Sequence, residues 1–353
     1  MIPKFNKVHN RFKLNGTPYN YSELREVAYS YIKEGEPFEK VIGDFITDWL
    51  DYKDYIKTNT SGSTGKPKTI KVNKQAMVNS AIATGDFFNI RPGDKALLCL
   101  PLESIAGKMM LVRAMMLGLE IDIVSPTKFP SFDYKSYDFC AMIPMQLYNS
   151  LKHVYNIKTI IVGGASVPNH LFKSIQDLKP TVYETFGMTE TLSHIAIKQL
   201  NNIDNITNTF RLLPNIAISQ DERGCLVISA PKLSAETIIT NDIVNIINDS
   251  EFEWLGRFDN VINSGGVKLY PESIEAKLQS QISQRFLIAA KEDKELGEKL
   301  ILVVEGDKTE IPHTMFNSLN KFEKPKEVFF IPQFPETASG KVHRKNTINL
   351  LKA

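Results

Sequence analysis

With 353 residues, 42% of them hydrophobic and 23% charged, the chain is long enough to bury one large core and a second smaller one, and its composition is that of an ordinary globular protein. A formal net charge of +2, without long blocks of like charge, excludes a nucleic-acid binder that works by neutralising many phosphates and points to small-molecule partners. Cys99, Cys140 and Cys225 are far apart and each lies beside apolar residues, so they read as thiols of a reducing compartment, and the six histidines lack metal-ligand spacing. The stretch Met1 to Lys7 lacks the apolar core of a signal peptide and no apolar run reaches membrane-spanning length, so a cytoplasmic protein without a transmembrane segment is expected.

In chain order, the first fifty residues read as helices: Phe38, Val41, Ile42, Phe45, Ile46, Trp49 and Leu50 recur at helical spacing after Pro37, a stripe that belongs to a core. Next comes Thr60-Ser61-Gly62-Ser63-Thr64-Gly65-Lys66-Pro67-Lys68, which sets hydroxyls, glycines and two lysines before the strand-like Thr69 to Val72. Gly62 and Gly65 let backbone N–H groups turn inward, the hydroxyls add donors, and Lys66 and Lys68 add charge, as a phosphate-cradling loop requires. Pro67 removes a donor that a Walker loop would keep, and a flexible Gly/Ser hairpin tip is the alternative reading.

Asn73 to Phe88 reads as a helix, Lys95 to Leu100 as a buried strand, Glu120 to Val124 and Phe139 to Ile143 as further strands, and Pro144 opens a helix through Leu151. Lys158 to Val162 is a strand running into Gly163-Gly164-Ala165, a helix follows around Leu171 to Leu178, and Thr181 to Glu184 is the next strand. This alternation predicts a mostly parallel α/β sheet with ligands bound beyond the carboxyl ends of its strands. From about Asn201 the text becomes turn-rich, with short strands over Gly224 to Ser229, Glu236 to Thr240 and Ile243 to Ile247, the look of a small β region. Beyond Gly256-Arg257-Phe258-Asp259 a helix from Pro271 to Leu278 and strands over Phe286 to Ala290, Leu300 to Val304 and Val328 to Ile331 form a compact α+β lobe, giving domains 1–256 and 257–353.

The Thr60 to Lys68 nonapeptide resembles the phosphate-binding signature of the adenylate-forming superfamily of acyl- and aryl-CoA ligases, luciferases and peptide-synthetase adenylation domains, and further motifs follow in the family's order. Gly163-Gly164-Ala165 resembles the turn that lines the acyl pocket and packs beside adenine. Phe186-Gly187-Met188-Thr189-Glu190 resembles the segment whose aromatic stacks on adenine, whose Thr touches the α-phosphate and whose Glu helps hold Mg²⁺. Asp242 aligns with the ribose-binding Asp, with Asn241 where Gly is usual, and Arg257 and Asp259 occupy the ribose-binding and hinge places of the Gly-Arg-x-Asp motif. Ser264-Gly265-Gly266 matches the turn beside the CoA tunnel, and Lys341, in Ser339-Gly340-Lys341, matches the catalytic lysine that bridges carboxylate and phosphate. Only fifty-nine residues precede Thr60, against more than a hundred in usual members, so the acyl pocket is expected to be built from less protein. Ser104 stands where a gating His is frequent.

Ala106-Gly107-Lys108-Met109-Met110 after Pro101-Leu102, and Gly187-Met188-Thr189-Glu190-Thr191-Leu192-Ser193-His194, look most like the o-succinylbenzoate–CoA ligases of menaquinone biosynthesis. The resemblance implies ATP, Mg²⁺ and CoA, a mobile 257–353 domain, and a small carboxylic acid held near Gly163, Thr191 and His194. A dicarboxylate would need a second cation in an otherwise apolar pocket, and Lys108 and Arg113 are the candidates, of which their five-residue spacing lets one face the acid. Another acid or a carrier-protein thiol, and a non-catalytic module that binds AMP or an acyl adenylate, are the alternatives.

Overall fold

The computed structural model describes residues 3–59, 69–132, 135–204, 207–336 and 342–351. Two compact units divide the chain: Met1–Ile218 with Ile228–Ile238 and Asn248–Glu251, and Ser219–Val227 with Ile239–Ile247 and Phe252–Ala353.

In the first unit the strands Lys13–Leu14, Glu120–Ile123, Lys95–Leu98, Tyr137–Met142, Ile157–Val162 and Thr181–Gly187 lie side by side and parallel, and His194–Gln199 and Thr209–Leu212 extend them antiparallel. Period-two alternation sends Ala96 and Leu98 to one face and Leu97 and Cys99 to the other. The first face is covered by the helices Tyr21–Glu34, Pro37–Trp49, Lys74–Phe88 and Ile105–Leu117, the second by Pro144–Ser150 and Asn169–Ser174. This is the expected mostly parallel α/β architecture, buried on both faces.

The hairpin Tyr55–Asn59 and Thr69–Asn73 is antiparallel, with Asn59 opposite Thr69. At its base the Lys74 amide donates to the Asp54 carbonyl at 2.7 Å, and the buried Lys74 ammonium reaches the Asp51 carboxylate at 2.7 Å. The loop it carries, with the phosphate-binding candidates Thr60, Ser61, Gly62, Ser63, Thr64, Gly65, Lys66 and Lys68, lies outside the described residues.

Helix Ile105–Leu117 is apolar on nearly every side and buried at Gly107 and from Met109 through Met116. Ser104 caps it: its Oγ accepts from the Gly107 amide at 3.1 Å and donates to the Pro101 carbonyl at 2.7 Å. In this chain the residue at the gating-histidine place therefore starts a helix.

The two short strands expected over 236–240 and 243–247 are one continuous strand, Ile238–Asn248, whose residues Ile239–Ile247 belong to the second unit. Thr240-Asn241-Asp242 does not break it because distant side chains satisfy the polar groups of Asn241 and Asp242. The strands Val267–Leu269, Ile262–Ser264, Gly297–Glu305 and Phe286–Asp293 form a second sheet in that order, with Glu327–Ile331 parallel to Gly297–Glu305. Ile274 and Leu278 of helix Pro271–Leu278 pack on Ile288, Leu302 and Val304, while the other face of the sheet buries Leu287, Ile301 and Phe334.

Candidate active site

Strand Ile157–Val162 ends at Gly163-Gly164-Ala165, where Gly164 takes φ +82°, a left-handed conformation that favours glycine. The turn is tied to the neighbouring strand: the Val167 amide donates to Glu184 at 3.1 Å, Glu184 pairs with Lys198 at 2.8 Å, and the Thr185 hydroxyl donates to the Val162 carbonyl at 3.2 Å. Gly164 and Ala165 are left exposed, so their backbone is open to a ligand. The next strand, Thr181–Gly187, delivers Phe186 half-buried beside Phe210, with ring centroids 5.7 Å apart.

The short helical turn Thr189–Thr191 follows. Thr191 is fully buried and its hydroxyl serves the loop itself, accepting from the Met188 amide at 3.0 Å and lying 2.8 Å from the Ser193 carbonyl. Thr189 is half-buried and Glu190 is exposed. No cluster of three His, Cys, Asp or Glu side chains that could cage a metal exists among the described residues. A single exposed carboxylate fits a Mg²⁺ ion held chiefly by phosphates and water, which is the role assigned to Glu190.

Beneath this rim runs a buried polar chain. Arg113 is 2% exposed, and its Nη2 donates to Ser193 Oγ at 2.6 Å. Ser193 Oγ lies 3.2 Å from His194 Nδ1, and His194 Nε2 lies 3.4 Å from Thr84 Oγ1, which donates to the Ser80 carbonyl at 3.1 Å. With His194 neutral, one proton arrangement satisfies every link: Arg113 donates to Ser193, Ser193 to His194 Nδ1, and His194 Nε2–H to Thr84. Burial and the adjacent Arg113 charge hold His194 well below the usual histidine range. Burial alone pushes Arg113 down to about 9, so at neutral pH it keeps its charge, and among the described residues its Nε has no hydrogen-bond partner.

Lys108, the other cation candidate, is half-buried and its ammonium donates to the Glu103 carbonyl at 3.2 Å, back toward the start of its own helix. Burial lowers its pKa, opposed by Glu103 and Asp48. Arg113 is thus the cation that faces the Ser193-His194 loop.

In the second unit, Asp242 is buried and accepts from Trp254 Nε1 at 3.0 Å and Arg257 Nη1 at 3.4 Å. Arg257 also approaches Asp259 at 3.7 Å, and Asn241 donates to the same Asp259 carboxylate at 3.4 Å. Arg223 donates to Asn241 at 2.9 Å and stacks on Phe258 at 5.1 Å. Ser264-Gly265-Gly266 makes a tight hairpin turn, with φ +58° and +81° at the two glycines. Lys341 lies outside the described residues.

The geometry therefore groups Arg113, Thr191 and His194 in one loop-and-helix cluster and Asp242, Arg257 and Asp259 in another. Ser193, Thr84, Trp254 and Arg223 were not singled out in the sequence. Only Ser193 carried a signal there, as a polar residue inside the resembling Gly187 to His194 stretch.

A family model for AMP-binding enzymes matches residues 58–227. Among curated proteins, a 2-succinylbenzoate–CoA ligase of Lactococcus lactis is 26% identical over 328 residues, covering 84% of this chain and 71% of that protein. One of the same description from Bacillus cytotoxicus is 26% identical and covers 83% and 69%. Among solved structures, an acyl-CoA synthetase (AMP-forming)/AMP-acid ligase II-like protein from Dyadobacter fermentans is 36% identical with TM-score 0.63, covering 93% of this chain and 98% of that one. O-succinylbenzoate coenzyme A synthetase from Bacillus subtilis, in complex with ATP and magnesium ion, shares the fold at TM-score 0.69 and 21% identity, covering 83% and 69%. The chain belongs to the AMP-binding enzyme family.

Proposed function

We propose that this chain is an AMP-forming acid–CoA ligase whose acid is a dicarboxylate of the o-succinylbenzoate type. One observation carries the choice of acid: among the described residues Arg113 is buried without a carboxylate partner, with an unused Nε, beside a histidine held neutral. An uncompensated buried cation is costly, and the second carboxylate of such a substrate would compensate it. The names of the curated relatives point to the same acid.

In the first step the other carboxylate attacks the α-phosphate of ATP, giving an acyl adenylate and pyrophosphate. Donors and cations must be preorganised where anions converge. The Thr60 to Lys68 loop serves the outer phosphates, Thr189 the α-phosphate, and Lys341 bridges the reacting groups. Glu190 would hold Mg²⁺, which supplies charge neutralisation on the phosphates. Phe186, Gly187, Gly164 and Ala165 take the adenine, Asp242 and Arg257 the ribose, and Gly163, Thr191 and His194 frame the acid. In the second step CoA thiol displaces AMP, entering past Ser264-Gly265-Gly266 after the 257–353 domain turns about Asp259. A cytoplasmic location accords with free ATP and CoA as substrates; among the described residues no helix is long and apolar enough to cross a membrane.

ATP–pyrophosphate exchange with o-succinylbenzoate against plain benzoate, followed by thioester assay with free CoA, tests the proposal. Equal exchange with benzoate would reduce it to a general acid–CoA ligase, and thioester formed only on a carrier protein would replace CoA. Absence of exchange with any acid would favour a non-catalytic binding module.

A further inference from the structure

Residues 337–341 are flanked by an antiparallel bridge between Glu336 and Val342, and both flanks are fastened. The His343 amide donates to the Pro335 carbonyl at 2.7 Å, and Arg285 pairs with Glu336 at 2.8 Å and Glu305 at 3.3 Å. One residue further, Arg344 turns into the second unit. Its Nη1 donates to the Ile288 carbonyl at 3.0 Å and its Nη2 pairs closely with Glu275, whose other oxygen accepts the Ile288 amide at 2.7 Å. Its Nε lies 3.9 Å from Glu272, which also accepts from Asn260 Nδ2. The second oxygen of Glu272 is buried, without a hydrogen-bond partner among the described residues, against Gly256, where a Cβ would collide with it.

One cation thus sits between two carboxylates whose side chains are only 12% and 19% exposed. Buried pairs of this kind are often no more stabilising than apolar packing, and they fix geometry through directed hydrogen bonds, here from Arg344 to Glu275 and to the Ile288 carbonyl. It joins three pieces: helix Pro271–Leu278, which carries Glu272 and Glu275; the Gly256 to Asn260 segment; and the chain leaving Lys341. A lysine delivered and withdrawn by rotation of a lobe must be rigidly attached to that lobe, or its position relaxes when the lobe turns.

We propose that Arg344 and Glu275 are positioning residues that fasten the segment leaving Lys341 to the body formed by helix Pro271–Leu278 and the Gly256 to Asn260 turn, so that the lysine and the hinge move as one piece. The proposal rests on the adenylation reading above. Arg344→Met, Glu275→Gln and the conservative Arg344→Lys, each in the full chain, are compared with the wild type in two measurements. Hydrogen exchange should accelerate by about tenfold or more at the amides of 342–347 while strand Gly297–Glu305 is unchanged. Acyl-adenylate formation should fall by about tenfold or more with little change in KM for ATP or acid, while thioester formation from supplied acyl adenylate stays within about twofold, and Arg344→Lys should recover part of the loss. Equal loss of both half-reactions, unchanged exchange at 342–347, or general loosening of the second unit in all three variants would overturn it. If the wild type itself forms no adenylate with any acid, the adenylation reading fails, and the exchange result alone then decides whether the fastening exists.

Discussion

Replacing Arg113 with Met separates a residue kept for a ligand from one kept for the fold. The side chain is 2% exposed in an apolar helix, and burial has brought its pKa to about 9. That descent from the usual arginine range corresponds to a desolvation cost of about 5 kcal/mol. Its hydrogen bond to Ser193 offsets about 2 kcal/mol of this. Met fills a similar volume without the charge, so the unliganded variant should be more stable by about 1–3 kcal/mol, a rise in unfolding midpoint of about 1–4 °C. The same change should raise KM for the dicarboxylate by about tenfold or more while leaving KM for ATP and any benzoate activity nearly unchanged. Thermal unfolding without substrate and steady-state kinetics with both acids read the two effects. A destabilised variant that keeps its preference for the dicarboxylate would refute the reasoning, because Arg113 would then serve the fold.

The parallel sheet was legible because strands buried on both faces, such as Lys95–Leu98 and Ile157–Val162, leave continuous apolar runs between Gly and Pro punctuation. Helix Pro37–Trp49 was legible from Pro37 and a one-sided stripe. Helix Ile105–Leu117 was not, because an element apolar all round has no phase to read. The sequence therefore could not decide between Lys108 and Arg113: spacing separates their faces, but the choice depends on Ser193, 80 residues away. Strand Ile238–Asn248 failed similarly, since Thr240-Asn241-Asp242 reads as a turn until Arg223 and Trp254 supply its partners. Pattern reports what a residue does to its neighbours in sequence; these residues are fixed by neighbours in space.

Lys341→Ala should cut adenylation by at least about two orders of magnitude while thioester formation from supplied acyl adenylate survives, and equal loss of both in a folded variant would defeat the two-step assignment. Asp259→Pro fixes φ in an exposed turn and should spare one half-reaction while blocking the other; unchanged turnover would place the hinge elsewhere. The remaining prediction concerns pH. His194 is held neutral by burial and by Arg113, so its folded pKa lies well below the value of about 6.5 expected when unfolded. Above that value neither state binds the proton and stability is unaffected. As pH falls below it, the unfolded chain takes up a proton that the native protein refuses, so stability declines by up to about 1.4 kcal/mol per pH unit until the folded pKa is reached. A His194→Asn variant has no such proton to bind, so its unfolding free energy should fall less steeply than the wild type's between about pH 6.5 and 5. Parallel pH slopes for the two proteins would mean that His194 is charged in the fold, and the donor chain from Arg113 through Ser193 to Thr84 would then have to run differently.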